Sequence, residues 1–204
     1  MLKRPQKQKI LKRPDSKELR GPVAISHVWL SSHLRSGDHV VDATCGNGND
    51  TLLLAGLVGK NGRVWAFDIQ EEAIRKTELL LENSGISDRV RLINSGHEKL
   101  SEHISFPVSA FVFNLGYLPG GSRNIITKPE TTLSALSQAT ELLLPGGIIA
   151  VTLYPGHSGG DSEASAVNEW ASSTSPQNIH AWRMHQTNVP GYAPYFILLQ
   201  KALS

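Results

Sequence analysis

Two spacings of apolar residues alternate along the chain, and each is typical of one kind of secondary structure. Short, nearly continuous apolar runs indicate buried strands, whereas apolar residues that recur every three or four positions indicate amphipathic helices. Strands are predicted at 39–43, 63–67, 89–93, 108–113, 148–153, 179–186 and 194–200. Helices are predicted at 23–34, 49–58, 71–84, 97–103 and 130–143, followed by one that is capped by Asp161 or Ser162 and reaches Ala171. This alternation predicts an α/β fold with a doubly wound, mostly parallel sheet.

Length and composition predict one folded domain behind a charged arm. With 204 residues and 40% apolar content, the chain is long enough for one substantial core over residues 21–204. Residues 1–20 carry eight Lys or Arg against two acidic residues, in a chain whose net charge is only +2. Such an arm contacts nucleic-acid phosphate in some proteins and is a solvated, flexible tail in others. A single cysteine and the lack of a long apolar stretch favour a reducing, cytoplasmic location without membrane spanning.

A glycine loop between a predicted strand and helix is the first sign of a ligand site. Gly46 and Gly48 let backbone N–H groups approach a ligand without interference from a Cβ atom. The next strand ends in Asp68, about twenty residues past the glycines, where nucleotide-binding α/β units place a carboxylate for the ribose. The two features together predict a cofactor that contains adenosine.

The chemistry of the glycine loop narrows the choice of cofactor. The loop lacks the Lys-Ser/Thr pair of a P-loop and the third glycine of a dinucleotide site. Asp42, at the end of the first strand, would repel a pyrophosphate but suits a ligand with an ammonium or sulfonium group. We therefore predict S-adenosylmethionine, which has a ribose and positive charge but no phosphate. The alternative is a tight turn in which Asp42 is hydrogen-bonded locally.

Polar residues and glycines follow each of the first five predicted strands. Ligands of doubly wound sheets bind beyond the carboxyl ends of the strands, so we expect these residues to gather at one edge. They are Asp42, Gly46, Asn47 and Gly48; Asp68, Ile69 and Gln70; Gly96 and His97; Asn114, Tyr117, Pro119 and Gly120; and Tyr154 and His157.

The loop after the fourth strand indicates the type of reaction. Asn114, Tyr117 and Pro119 resemble a degenerate form of the Asp/Asn-Pro-Pro-Tyr loop of amino-group methyltransferases. In that loop the amide oxygen accepts a hydrogen bond from the target nitrogen, and the aromatic ring stacks nearby. An amine attacks a sulfonium methyl group in line, so the site needs a positioned acceptor and a dry cavity more than a nucleophile. The alternative is an ordinary turn rich in Gly and Pro.

The histidines and the cysteine each have two interpretations. His97 and His157 are both suited to handle a proton, since histidine titrates near neutrality, but a structural hydrogen bond explains either equally well. His27 either closes over the methionine end of the cofactor or is a buried histidine with a local partner. Cys45 is interpreted as a packing residue rather than a catalytic thiol. The Cys and His spacing predicts no metal site.

Seven short motifs together resemble the MnmM family, formerly known as rRNA methylases. The resemblance covers about residues 21 to 201 and is carried by residues 42–51, 66–70, 96–98, 113–121, 131–136, 145–147 and 154–160. It implies a Rossmann-like class I methyltransferase fold with an antiparallel C-terminal strand. It also implies methyl transfer from S-adenosylmethionine to the 5-aminomethyl group of the wobble uridine in the tRNA anticodon stem-loop. The stretch 186–194, which reads Gln-Thr-Asn-Val-Pro-Gly-Tyr-Ala-Pro, departs from the Asn-Gln…Pro-Pro pattern of the family.

The resemblance also implies roles for individual residues. Asp68 would hold the ribose, while Gly96 and His97 would lie near the adenine. The remaining cofactor contacts would come from His27, Asp42, Gly46, Asn47, Gly48, Asp50, Thr51, Ile69, Gln70 and Asn114. Asn114, Tyr117 and His157 are the expected catalytic residues, and the expected substrate contacts are Tyr117, Pro119, Gly120, Tyr154 and His157.

Two further functions stay open from the sequence. One is a methyltransferase with the same cofactor that acts on rRNA or on a small amine. The other is a non-catalytic module that binds S-adenosylmethionine and acts on RNA through its basic arm. A monomer and a homodimer are both compatible with the sequence.

Overall fold

Strands and helices alternate through most of the chain in the computed structural model, which describes residues 19–120, 125–156 and 159–203. The strands are β1 His39–Asp42, β2 Arg63–Asp68, β3 Val90–Asn94, β4 Val108–Asn114, β5 Leu143–Leu153, β6 Ile179–Met184 and β7 Tyr195–Lys201. The helices are α1 Pro22–His33, α2 Asn49–Val58, α3 Glu71–Asn83, α4 Leu100–His103, α5 Pro129–Leu142 and α6 Gly160–Ser173. Short 3₁₀ turns at Ser87–Arg89 and His97–Lys99 precede β3 and α4.

The seven strands form one sheet in the order β3-β2-β1-β4-β5-β7-β6. Strands β1 to β5 pair in parallel, whereas β7 is antiparallel to both β5 and β6. The predicted fold class, including an antiparallel C-terminal strand, is confirmed. The strand order reverses between β1 and β4, and such a switch point opens a crevice at the carboxyl ends of the strands.

The sheet is covered on both faces, which explains the continuous apolar runs in its central strands. Neighbouring residues of β1 illustrate this, because Val40 packs into the core on the face of α1 and α2, and Val41 packs into the core on the other face. Both side chains are fully buried. Asp42 ends the same strand between β2 and β4, and its side chain is also fully buried.

Two predicted boundaries are wrong. Strand β5 begins at Leu143 instead of residue 148, because the segment Leu143–Gly147 adds a bulge opposite β4: Val108 pairs with Leu143, while Ala110 pairs with Ile148. Neither Asp161 nor Ser162 caps α6. The cap residue is Gly159, whose φ of 83° belongs to the left-handed region that glycine adopts readily.

The predicted basic arm lies outside the described residues, apart from Leu19 and Arg20. None of the helices in the described part of the chain is long and apolar enough to span a membrane.

Candidate functional site

A cavity of about 1050 Å³ lies at the carboxyl ends of the parallel strands, next to the switch point. Loops that follow β1, β2, β3, β4 and β5 form its wall, as expected for a doubly wound sheet. The predicted site residues in this wall are Gly46, Asp68, Ile69, Gln70, Gly96, His97, Asn114, Tyr117, Pro119, Gly120 and Tyr154. The fold therefore brings most of the predicted site together, although these residues are widely separated in sequence.

Position 48 in the glycine loop requires glycine for two separate reasons. Its φ is 83°, and a Cβ atom there would lie 3.0 Å from both Cα and Oγ1 of Thr77 on α3. Gly46 also has a positive φ, 53°, and its N–H donates to Asp68 Oδ2 at 3.0 Å. Thr77 Oγ1 in turn donates to the Gly46 carbonyl at 3.1 Å. These contacts hold the loop tightly against β2 and α3.

Asp68 presents its carboxylate at the end of β2, inside the cavity wall. One oxygen accepts the Gly46 N–H, and the other accepts the Gln70 N–H at 2.9 Å. The Ile69 N–H also bonds this carboxylate. A carboxylate has about four acceptor positions, so at least one remains for a ribose hydroxyl. Burial raises the pKa of Asp68, and the backbone hydrogen bonds oppose that shift. The geometry fits the predicted ribose contact.

Asp42 is fully buried and does not line the cavity. Its Oδ2 accepts from Thr51 Oγ1 at 2.6 Å, and its Oδ1 accepts from the Thr44 N–H at 3.2 Å. Burial, followed by the charge of Asp50, raises the pKa of Asp42 to about 7. Asp42 and Thr51 are bonded to each other in the interior, and neither lies in the cavity wall. This arrangement agrees with the local hydrogen-bond alternative, and the predicted contact of these two residues with the cofactor stays a prediction.

Three more predicted cofactor residues, Asn47, His27 and Gly48, lie outside the cavity wall. Asn47 Nδ2 donates to the Pro119 carbonyl at 3.1 Å and so ties the glycine loop to the loop after β4. His27 Nε2 lies 2.6 Å from Asp50 Oδ1, so its ring is directed at α2 rather than over a bound cofactor. Gly48 shapes the turn without lining the cavity.

Asn114 occupies the end of β4 and is fixed from two sides. Its N–H donates to Thr44 Oγ1 at 2.7 Å, and its Nδ2 donates to Asp50 Oδ2 at 2.5 Å. Its Oδ1 is buried, and no donor in the described part of the chain reaches it. A buried acceptor without a donor is costly, so this oxygen of a cavity-wall residue is a candidate for a donor from a ligand. The role of Asp50 as the partner of Asn114 was not predicted, because no local spacing links residues 50 and 114.

Aromatic side chains from three loops surround the cavity. Tyr117 is 39% exposed, and its backbone pairs with Ile126 across the loop. Tyr154 is more enclosed, and burial, with a smaller effect of Asp50, raises the pKa of its phenol. Tyr192, which was not predicted, is 68% exposed and lies over Gly156. It belongs to the stretch whose sequence departs from the MnmM pattern.

His97 and Cys45 are both enclosed and poorly suited to acid–base or nucleophilic work. Burial lowers the pKa of His97, whose ring packs edge-on against Phe113 with 5.9 Å between centroids. Burial raises the pKa of the Cys45 thiol, which keeps it protonated and agrees with a packing role. His157 lies outside the described residues. In the described ranges, no group of three His, Cys, Asp or Glu side chains is arranged to hold a metal ion.

Comparisons with known proteins agree on the family. The family described as "Putative rRNA methylase" matches residues 64–200. A "tRNA (mnm(5)s(2)U34)-methyltransferase, chloroplastic" of Arabidopsis thaliana is 40% identical over 187 residues, which cover 87% of this chain and 68% of the relative.

Solved structures show the same fold at similar identity. The structure of a "putative rRNA-methylase" from Clostridium thermocellum is 43% identical, has a TM-score of 0.88, and is matched over 91% of this chain and 100% of its own. A "putative methyltransferase" from Streptococcus mutans in complex with SAH is 36% identical, with a TM-score of 0.82 and coverage of 90% and 99%.

Proposed function

This chain belongs to the rRNA methylase family, whose profile spans residues 64–200, and on that premise we propose that it methylates the aminomethyl nitrogen of a tRNA wobble uridine. That the chain is an S-adenosylmethionine-dependent methyltransferase follows from its family and from the related structure with bound SAH. The identity of the methyl acceptor is the proposal.

The choice of an amine as the methyl acceptor rests on one observation, the Asn114 Oδ1 atom, which has no hydrogen-bond donor in the described part of the chain. It is a buried acceptor on a residue of the cavity wall. An amine supplies N–H donors as well as the nucleophilic lone pair. A neutral amine can attack before it loses a proton, whereas a hydroxyl becomes a strong nucleophile only as its proton is removed.

The residues of the cavity fit S-adenosylmethionine. The Asp68 carboxylate matches the ribose hydroxyls, and the glycine loop allows close approach of the methionine part. The volume of about 1050 Å³ lies at the upper end of ordinary ligand pockets, which leaves room for a second group beside a cofactor. S-adenosylmethionine supplies an electrophilic methyl group, and transfer forms the N–C bond while the S–C bond breaks and its electron pair stays on sulfur.

The protein contributes position and protection from water. Asn114 Oδ1 accepts an N–H of the incoming amine and so directs its lone pair at the methyl group. The amine must arrive without its extra proton, and the new secondary ammonium loses a proton after transfer. Tyr117, which is 39% exposed at the cavity wall, is the proposed ring for stacking on an unpaired base, which is how single-stranded RNA is commonly bound.

The name of the Arabidopsis relative supports tRNA as the substrate, since that protein is 40% identical over most of this chain. The basic segment at residues 1–20 is suited to phosphate contacts. An anticodon stem-loop is the proposed partner. A cytoplasmic location, a homodimer, and the division into an arm and one domain stay predictions.

The test is transfer of labelled methyl from S-adenosylmethionine to total tRNA from cells that lack this protein, followed by nucleoside mass spectrometry. We expect 5-methylaminomethyl-2-thiouridine to appear while its aminomethyl precursor disappears. Tyr117→Ala should lose most of this activity, and Tyr117→Phe should keep it, because stacking needs the ring. Label in rRNA or in small amines, with none in tRNA, would contradict the proposed acceptor but not the methyltransferase assignment.

A further inference from the structure

Three side chains form a hydrogen-bonded row behind the cavity wall. His27 lies on α1, Asp50 lies in the first turn of α2, and Asn114 ends β4. The His27 Nε2 to Asp50 Oδ1 distance is 2.6 Å, and the Asn114 Nδ2 to Asp50 Oδ2 distance is 2.5 Å. Only Asn114 reaches the cavity, so the other two act through it.

We propose that Asp50, held in place by His27, orients the Asn114 amide so that its oxygen rather than its nitrogen faces the substrate amine. The inference rests on the proposed function, because it explains how that site selects a donor. Asp50 and His27 are positioning residues here, whereas the sequence predicted that they contact the cofactor.

The orientation follows from hydrogen-bond chemistry. A side-chain amide has two faces of opposite character, the oxygen that accepts and the NH₂ group that donates. A carboxylate only accepts, so the amide must turn its NH₂ group toward Asp50. Its planar geometry then directs Oδ1 away from Asp50, which agrees with a buried Oδ1 that has no donor. An NH₂ group in that place would face the N–H groups of an amine and repel them.

His27 fixes the carboxylate itself. It bonds the Asp50 oxygen that Asn114 does not use, so rotation of the carboxylate would break both contacts. The Asp50 side chain is 10% exposed, which leaves little water to replace either partner. Asp50 does not line the cavity, whereas Asn114 does. Its role in this geometry is therefore positional.

The first test is Asp50→Asn. An amide at position 50 can donate to Asn114 Oδ1, which permits the reversed orientation. We expect kcat for amine methylation to fall about 100-fold, as misplaced catalytic groups typically cause, while the KM for S-adenosylmethionine stays unchanged. Asp88→Asn is the matched control, since that carboxylate is 74% exposed, and it should behave as wild type.

A reciprocal exchange separates orientation from simple support of the fold. The double variant Asp50→Asn/Asn114→Asp exchanges the donor and the acceptor, with an amide donor at position 50 and an acceptor-only carboxylate at the cavity. We expect it to regain at least about tenfold of the activity that Asp50→Asn loses. A double variant no more active than Asp50→Asn would overturn the proposal, as would full activity in Asp50→Asn.

A readout independent of catalysis keeps the two proposals apart. The Asn114 side-chain NH₂ resonance in ¹⁵N-labelled protein should show slow hydrogen exchange in the wild type and fast exchange in Asp50→Asn. Fast exchange in the wild type would overturn the orientation proposal. Failure of wild-type protein to methylate tRNA, with the NH₂ group protected, would refute the substrate proposal and leave the orientation of Asn114 intact.

Discussion

Replacing Asp68 by Asn tests the cofactor site at the atoms proposed to hold the ribose. The Asp68 carboxylate accepts N–H bonds from Gly46 at 3.0 Å and from Gln70 at 2.9 Å, and it keeps at least one acceptor position for a ribose hydroxyl. An amide has a single acceptor oxygen, so it leaves one backbone N–H unpaired and turns its own NH₂ group toward donors. It therefore loses at least one hydrogen bond to the ribose.

The magnitude follows from the kind of bond that is lost. Hydrogen bonds to a charged acceptor contribute about 1.5–3 kcal/mol, which corresponds to about 10- to 150-fold in Kd. We expect Asp68→Asn to weaken S-adenosylhomocysteine binding by that factor in isothermal titration calorimetry. Asp88→Asn again serves as the control that removes one exposed carboxylate without touching the cavity.

A second ligand pair attributes the loss to the ribose. Wild-type protein should prefer adenosine to 2′,3′-dideoxyadenosine, because only adenosine has the two vicinal hydroxyls. In Asp68→Asn that preference should shrink toward equal affinity. A folded Asp68→Asn protein that binds S-adenosylhomocysteine as tightly as wild type, or that keeps the full preference for adenosine, would refute the assignment of Asp68 to the ribose.

Three further predictions concern stability. The pKa of Asp42 is raised from 3.8 to about 7 in the folded protein, so between these pH values the native state binds a proton that the unfolded state has lost. The contribution of Asp42 to the free energy of unfolding therefore falls as pH rises from about 4 to 7. Asp42→Asn should flatten that part of the pH profile in urea titrations, and an unchanged slope would contradict this prediction. Gly48→Ala should lower the free energy of unfolding by about 1–2 kcal/mol because its backbone is left-handed, and by about 1–3 kcal/mol more because the new Cβ atom crowds Thr77. Gly85→Ala, with φ of 66° and open space around it, should show the backbone cost alone. Equal losses in the two variants would exclude the crowding at position 48. Glu163 is 2% exposed and accepts hydrogen bonds from two threonine hydroxyls, so Glu163→Ala should destabilise the protein by about 2–4 kcal/mol. Glu169 lies on the exposed side of the same helix and provides the control. A decrease in melting temperature no larger than that of Glu169→Ala would contradict this prediction.

The comparison of Asp42 with Asp50 shows a limit of reasoning from the sequence. Asp42 stands at the end of a strand that is followed by glycines, which is where a ligand carboxylate is expected. In the sheet, β1 pairs with β2 on one side and β4 on the other, so its last side chain is enclosed and finds Thr51. Asp50 was predicted beside Asp42 as a cofactor contact, yet in the structure it is the one bonded to Asn114. Which carboxylate serves the site depends on side-chain directions that a linear pattern does not contain.

Tyr192 shows a similar limit at the entrance of the cavity. It lies in an irregular stretch before β7, and its position beside Gly156 depends on β7 pairing with β5. The same pairing inserts the last strand between β5 and β6. Contacts between segments so distant along the chain follow from the packing of the whole sheet, and they leave no periodic signal in either segment.

The sequence by itself determined the order of strands and helices, the parallel character of the sheet, and the gathering of polar loops at its carboxyl edge. These properties follow from short-range apolar spacing and from glycines and acids at strand ends, which act within a few residues. The tertiary structure alone decided that Asp42 is interior, that His27 and Asp50 stand behind Asn114, and that no donor in the described ranges reaches the buried oxygen of Asn114. Those outcomes depend on which hydrogen-bond partners meet across α1, α2 and β4, and only the packed fold brings these elements together.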